Sequence, residues 1–417
     1  TMSPCRLLAL LVLGTAAAVP VRHHQEPQSQ TIASVENGLR ITTTTRLGTP
    51  EPPAASFEKH PATADKGTVL WHQTEQIAIF QQVVASPFSQ DVMASTMLVP
   101  TIAEVIPFKS RGKPLDQWQT TEGSFLVGAA RTSDYFLAAD EIPDGWNLTA
   151  TLSVFRKGQK ASVFEVKVPG VGSAELSADG TLLAFAGIVN NSYVMPGHGL
   201  LTVYDVKSGK VLTSVEFGAG LQPSCLSTFN SRNEIAVCVG TSVLVLNAKT
   251  GKQLLNVTRD YVSPAFDFND DYLVFGFEDT AVYAYKNGQW SSQTIVISGG
   301  GMMVNRLALS PDGKSLATAY TPMDNRIFKL NIITGYDLST CKMVWNHTGP
   351  DVSSQAAQNG VSQMTYTEDG NHLAVSTWGD TTNTTAQIQL FCTRCGMPVF
   401  ELHTPGSMMG IDVVQSG

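Results

Sequence analysis

The chain has 417 residues, a formal net charge of −8, 43% hydrophobic and 15% charged side chains. That is ordinary globular composition on a chain long enough to bury a sizeable core. The acidic balance argues against a general nucleic-acid or anionic-membrane surface, since each wants a basic footprint.

At the N-terminus a short, weakly basic start (Met2 to Arg6) precedes the apolar run Leu7–Leu13, and Thr15-Ala16-Ala17-Ala18 offers a small-residue cleavage site. The pattern predicts a signal peptide over residues 1–18 and a secreted, extracellular protein. The run falls well short of the ~20 residues a spanning helix needs, so no membrane span is expected. Five N-x-[ST] sequons, at Asn147, Asn190, Asn256, Asn346 and Asn383, suit a glycoprotein. Residues 19–66 are rich in Pro, Thr, Gln, Ser and Ala, including Thr42–Thr45 and Pro50-Glu51-Pro52-Pro53. They read as a disordered leader ahead of a folded domain over 67–417.

From Thr68 the texture is all-β: short alternating runs, many Gly, Asn and Asp turns, and no convincing amphipathic helix. An apolar–small pair recurs as Met93-Ala94, Leu137-Ala138, Leu183-Ala184, Ile235-Ala236, Leu273-Val274, Leu316-Ala317 and Leu373-Ala374. The spacings are 44, 46, 52, 38, 43 and 57 residues, around the length of a four-stranded blade, about 40–50 residues. Turns repeat too. Leu309-Ser310-Pro311-Asp312-Gly313, Leu176-Ser177-Ala178-Asp179-Gly180 and Tyr366-Thr367-Glu368-Asp369-Gly370 close first onto second strands (a–b turns). Lys/Thr/Ser-Gly turns, as in Leu201–Phe217, Val243–Val257 and Ala103–Trp118, close third onto fourth (c–d turns).

At these residues the chain resembles the WD-repeat and quinoprotein-like β-propeller superfamily, over about Thr68 to Gly417. It lacks a Trp-Asp dipeptide and has a single Gly-His, Gly197-His198, so the tetrad of intracellular WD proteins is not implied. The resemblance implies an all-β propeller with seven legible blades. Ser407–Gly417 reads as a first strand, and Thr68–Phe80 as an outer strand, of an eighth blade that is either split between the termini or truncated.

In such a fold the b–c and d–a connections share one face, the top. Long b–c loops are expected at Asp140–Asn147, Gly187–Gly199, Thr321–Arg326 and Thr377–Ala386. They offer Asp140, Glu141, Trp146, Tyr193, His198, Asp324, Arg326, Trp378 and Asp380 as candidate binding residues, against the plainer reading of variable solvated loops. All five sequons map to that half, so a protein partner is expected at the bottom face or rim, while a small ligand could still reach a central pocket.

Of six cysteines Cys5 leaves with the signal, and five remain. Cys225 and Cys238 sit opposite one another across a hairpin, as a bridge or as two buried thiols. Cys392-Thr393-Arg394-Cys395 lies on a c–d turn. A redox pair belongs at a helix N-terminus and zinc needs two further ligands, so a turn-bracing disulfide is expected, with Cys341 unpaired. No nucleophile motif is present. Of the first strands at Ser173–Ser177, Val304–Leu309 and Val361–Tyr366, only the first holds a carboxylate, Glu175. The expectation is a binding module with no catalytic residue, metal site or cofactor. The alternative is a secreted hydrolase, lactonase or oxidoreductase holding a metal ion or pyrroloquinoline quinone in its central channel.

Overall fold

A computed structural model describes residues 6–12, 28–36, 39–47, 68–75, 78–86, 91–98, 102–108, 124–130, 132–144, 147–156, 159, 161–169, 172–189, 197–221, 223–258, 265–276, 280–286, 288–295, 302–324, 327–328, 331–350, 357–380, 386–403 and 410–416. Every regular element among them is a β-strand. By contact the chain divides into two units, residues 118–298 and residues 1–117 with 299–417.

The unit of residues 118–298 holds four antiparallel sheets of four strands. The second sheet of the chain, 124–169, is followed by the third (172–219), fourth (223–258) and fifth (266–295). The other unit holds the sixth (302–348) and seventh (357–402), also four-stranded in their main path, and a three-stranded first sheet, 78–108. Each expected apolar–small pair lies on the second strand of its sheet, at Asp91–Leu98, Tyr135–Asp144, Leu182–Val189, Glu234–Val239, Tyr272–Gly276, Ser315–Asp324 and His372–Asp380.

Neighbouring sheets share their cores. Leu137, Leu152 and Val154 of the second pack with Leu176, Leu183 and Phe185 of the third. Ala184 and Val203 of the third pack with Ile235 and Val237 of the fourth, and Ala236 and Val243 of the fourth with Phe268 and Phe275 of the fifth. In the other unit Ala317 and Ile333 of the sixth meet Val375 and Phe391 of the seventh. A strand covered on both faces reads as a continuous apolar run, and Glu234–Val239 is buried along its whole length. The small residue of each pair lets the sheets approach closely: Ala184, Ala236, Ala317 and Ala374 are at most 1% exposed.

The a–b turns form one repeated device. In the third sheet the Ser177 hydroxyl donates to Asp179 Oδ1 at 2.7 Å and accepts the Leu182 N–H at 2.9 Å. Ser310 and Asp312 repeat this in the sixth, and Thr367 and Asp369 in the seventh. Gly180, Gly313 and Gly370 follow at φ +74, +66 and +67, the left-handed region that glycine enters freely. In the fourth sheet Asn233 takes that place at φ +57, and asparagine is among the few residues that tolerate it.

The termini share a sheet, ordered Gly410–Ser416, Arg6–Val12, Leu39–Leu47, Gln28–Glu36, Thr68–Glu75. Thr68–Glu75 is its outer strand, whereas 78–80 belong to the first sheet. Within residues 19–66, which composition reads as a disordered leader, two strands are described. Gln28–Glu36 pairs antiparallel with Leu39–Leu47, closing at Glu36 opposite Leu39. The β-branched run Thr42–Thr45 suits a strand, and Asn37-Gly38 between the two runs is a strong hairpin signal in the sequence. Arg6–Val12, inside the expected signal peptide, runs antiparallel to Gly410–Ser416 and parallel to Leu39–Leu47.

Candidate binding surface

Where the expected top-face loops are described, they are largely strand. Asp140 and Glu141 pair with Thr151 and Ala150, and the ladder continues to Asp144 opposite Asn147. Asp324 pairs with Ile327, and Trp378 and Asp380 pair with Gly360 and Ala357. Residues 140–144 and 321–324 are thus strand, as is Asn147. Asp, Glu and Pro are depleted in strands and read as loop, but on an extended hairpin their side chains alternate while the backbone stays paired. His198 is half-buried on the third strand of the third sheet, opposite Val189 and Ala219. Trp146, Tyr193, Arg326, Asn190 and Asn383 lie outside the described residues. The structure therefore brings Asp140 and Glu141 onto one strand and Trp378 and Asp380 onto another. Asn147 opens a third strand, and Asn256 and Asn346 are exposed on fourth strands.

The opposite ends of the sheets carry the c–d turns. Asp205 Oδ1 accepts the Ser208 hydroxyl and N–H, both at 2.7 Å. Asp337 Oδ1 accepts the Ser339 hydroxyl at 2.6 Å and the Thr340 N–H and hydroxyl at 2.9 Å. Those hydrogen bonds, led by Ser208 and Ser339, hold both carboxyls below the usual carboxylate range.

Just past these turns the fourth strands bulge. Phe155 pairs with Ser162 and Val154 with Phe164, leaving Val163 as the extra residue. The same shift leaves Leu212 in the third sheet, Leu254 in the fourth, Val344 in the sixth and Val399 in the seventh. The extra residue is a branched aliphatic each time. Val163, Leu212 and Val344 are exposed, and Leu254 and Val399 are half-exposed. Val211, Met343 and Met397 beside them are also open to solvent, Met343 and Met397 at 62% and 58%. A bulge kinks its strand and re-aims a side chain. Sequence reading missed the series, because an aliphatic residue inside a strand looks the same whether it is paired or bulged.

Arg306 is a charged first-strand residue that sequence reading passed over. Its Nε donates to Ser362 O on the seventh sheet and Nη1 to Asn305 O at 2.6 Å. Crowding by protein lowers its pKa, and both of these acceptors are backbone carbonyl oxygens. Cys225 and Cys238 are opposed in register and joined as a disulfide. Cys341, Cys392 and Cys395 are free thiols, so the turn-bracing disulfide expected of Cys392 and Cys395 is not formed. Among the described residues no group of three or more His, Cys, Asp or Glu could hold a metal ion. No helix among them is long and apolar enough to cross a membrane.

No protein-family model matches the chain, and no curated protein matches it by sequence. Among solved structures, the C-terminal WD40 domain of Sif2 aligns with a TM-score of 0.51 at 12% identity, over 75% of this chain and 83% of that one. Sqt1 of Saccharomyces cerevisiae gives 0.51 at 14% identity, over 79% and 86%. The chain has a WD-repeat-like β-propeller fold. At these identities the likeness reaches the fold and no further, so the four-stranded sheets are its blades and their chemistry must be read from their own residues.

Proposed function

We propose that this protein is a secreted, glycosylated β-propeller that serves as a protein-binding module and carries no catalysis of its own. The observation behind this reading is the apolar bulge repeated on five fourth strands, Val163, Leu212, Leu254, Val344 and Val399. Val163, Leu212 and Val344 expose apolar surface to water, whereas Leu254 packs in part against the core of the fourth and fifth sheets. Kept in the same place from blade to blade, a bulged aliphatic is better suited to contact than to folding. Of the sequons, Asn147 opens a third strand at the hairpin-arm end, whereas Asn256 and Asn346 stand two residues past the bulged Leu254 and Val344 on their fourth strands. Signal peptide and sequons together support export through the secretory pathway.

The test is to secrete the full chain from a eukaryotic cell, remove N-glycans, and compare partner recovery from extracellular fluid for three proteins. These are the unaltered chain, a Met343→Glu/Val344→Glu/Met397→Glu variant, and His198→Ala. The rim variant, checked for unchanged melting, is expected to lose its partner while His198→Ala keeps it. Retention inside the cell, absence of glycan, or partner loss only on His198→Ala would each overturn the reading.

A further inference from the structure

The first strands of the sixth and seventh blades, Met302–Leu309 and Ala357–Tyr366, belong to one unit, and each stands at the edge of its own sheet. Side chains join them: Asn305 Nδ2 donates to Val361 O at 3.5 Å, and Arg306 Nε donates to Ser362 O. Their registers break at the same place. Arg306 pairs with Ala319 and Val304 with Tyr320, leaving Asn305 as the extra residue. Gln363 pairs with Ser376 and Val361 with Thr377, leaving Ser362. The first strand of the fourth blade repeats the break at Ser224. A bulge re-aims the side chains beside it. From Val304 to Leu309 and from Asn359 to Tyr366 the exposed residues are Arg306 and Gln363, each one residue past its bulge.

The Arg306 guanidinium is fixed at one end and open at the other. Nε is half-buried against Ser362 O, the carbonyl of the peptide that leads into Gln363, and Nη1 is exposed where it meets Asn305 O. Two of the five guanidinium N–H groups are thereby used. Among the described residues no carboxylate pairs with Arg306. Residues 302–309 and 357–366 contain no second charged side chain of either sign. The cation is thus held without a counter-charge, and crowding by protein lowers its pKa accordingly. Gln363 Oε1 accepts the Ile411 N–H at 3.2 Å, so its amide has an NH2 to offer.

We propose that Arg306 and Gln363 form a binding site for a small monocarboxylate, with the Arg306 fork on the carboxylate oxygens and the Gln363 amide donating to one of them. A planar guanidinium matches a carboxylate with two parallel, charge-assisted hydrogen bonds. One positive charge with no second cation beside it balances a single carboxylate and leaves a phosphate dianion half compensated. The two carbonyl contacts hold the guanidinium in place beforehand, so little side-chain freedom is lost when the ligand arrives. The site lies on first strands, apart from the fourth-strand bulges assigned to a protein partner.

The test labels the purified full chain with phenylglyoxal, which reacts with accessible guanidinium groups, and reads the rate at each arginine by peptide mapping. Arg394 is the internal comparison, exposed and in only a long contact with Asn371 Oδ1 at 3.5 Å. Replacing chloride by about 50 mM acetate at constant ionic strength is expected to slow labelling of Arg306 about threefold and to leave Arg394 unchanged. Gln363→Glu keeps an acceptor for the Ile411 N–H and brings a carboxylate of the chain's own beside the guanidinium. In that variant Arg306 should label slowly with or without acetate. Equal protection of Arg306 and Arg394, or undiminished acetate protection in Gln363→Glu, would overturn the proposal. So would stronger protection by inorganic phosphate than by acetate, which would mark a phosphate site instead. The comparison of the two arginines needs no variant, so a misfolded mutant cannot hide the answer.

Discussion

Cys341 occupies, at φ +51, the turn position that Gly209, Gly251 and Gly396 fill in sister blades. A side chain in the left-handed region costs about 1–2 kcal/mol, and the Cys341 thiol returns only a long contact to Leu338 O at 3.8 Å. Cys341→Gly is therefore expected to raise stability by about 1 kcal/mol, seen as a higher urea midpoint at unchanged slope. A lower midpoint would mean that the thiol contact outweighs the strain. The a–b turns carry a pH dependence. Partial burial opposes ionisation of Asp179, Asp312 and Asp369, but hydrogen bonds led by Ser177, Ser310 and Thr367 win, and all three pKa values fall below the ordinary one. A carboxyl depressed in the folded state adds stability above its unfolded pKa, and that stability is lost as pH falls through the folded value. Stability should be level above about pH 5 and decline below about pH 4. Replacing all three by Asn should lower stability at neutral pH and flatten the acid decline. Parallel acid limbs in urea titrations of the two proteins would show that these turns do not set the response.

At the scale of the element, Trp345 joins the sixth blade to the seventh. It is 8% exposed, lies parallel to Phe391 with centroids 6.2 Å apart, and fills the space above two glycines. A Cβ at Gly335 would lie 2.2 Å from the indole, and one at Gly396 2.6 Å from Trp345 Cβ. Trp345→Ala is expected to cost about 3–5 kcal/mol, and Gly335→Ala should also destabilise strongly because the indole has nowhere to go. A small loss in either, by urea unfolding, would show that the blades hold together without this plug. Elements of this kind were largely legible in the sequence. A blade writes itself as an apolar–small pair on the second strand and two turns with fixed chemistry, and Leu183-Ala184 and Ser177-x-Asp179-Gly180 stand where that pattern puts them. Pairing beyond the core was not legible. Asp140 to Asp144 and Thr321 to Asp324 carry loop-like residues on paired backbone. The bulges were equally silent, since a one-residue register shift depends on the partner strand and leaves no signature in Val163 or Val344.

At the scale of the whole molecule, the terminal sheet and the expected signal peptide make competing demands on Arg6–Val12. Among the strand pairs of the described residues, only Arg6–Val12 with Leu39–Leu47 runs parallel. Because Arg6–Val12 is antiparallel to Gly410–Ser416, the C-terminal strand is already antiparallel to Leu39–Leu47. Cleavage after Ala18 would remove the strand between them. Direct pairing of Gly410–Ser416 with Leu39–Leu47 would then leave four antiparallel strands, ending in Gln28–Glu36 and Thr68–Glu75. That is the strand count and sense of the blades, so the sheet gains regularity by losing a strand. A chain beginning at Val19 is accordingly expected to match the full chain's stability within about 0.5 kcal/mol, and the secreted protein should give Val19 on N-terminal sequencing. Removing Gly410–Ser416 from that shorter chain should destabilise it sharply, because an unpaired inner edge would then face water. If the Val19 chain aggregates or melts early while the full chain does not, Arg6–Val12 is a working strand of the folded protein and its apolar run serves the sheet instead of export.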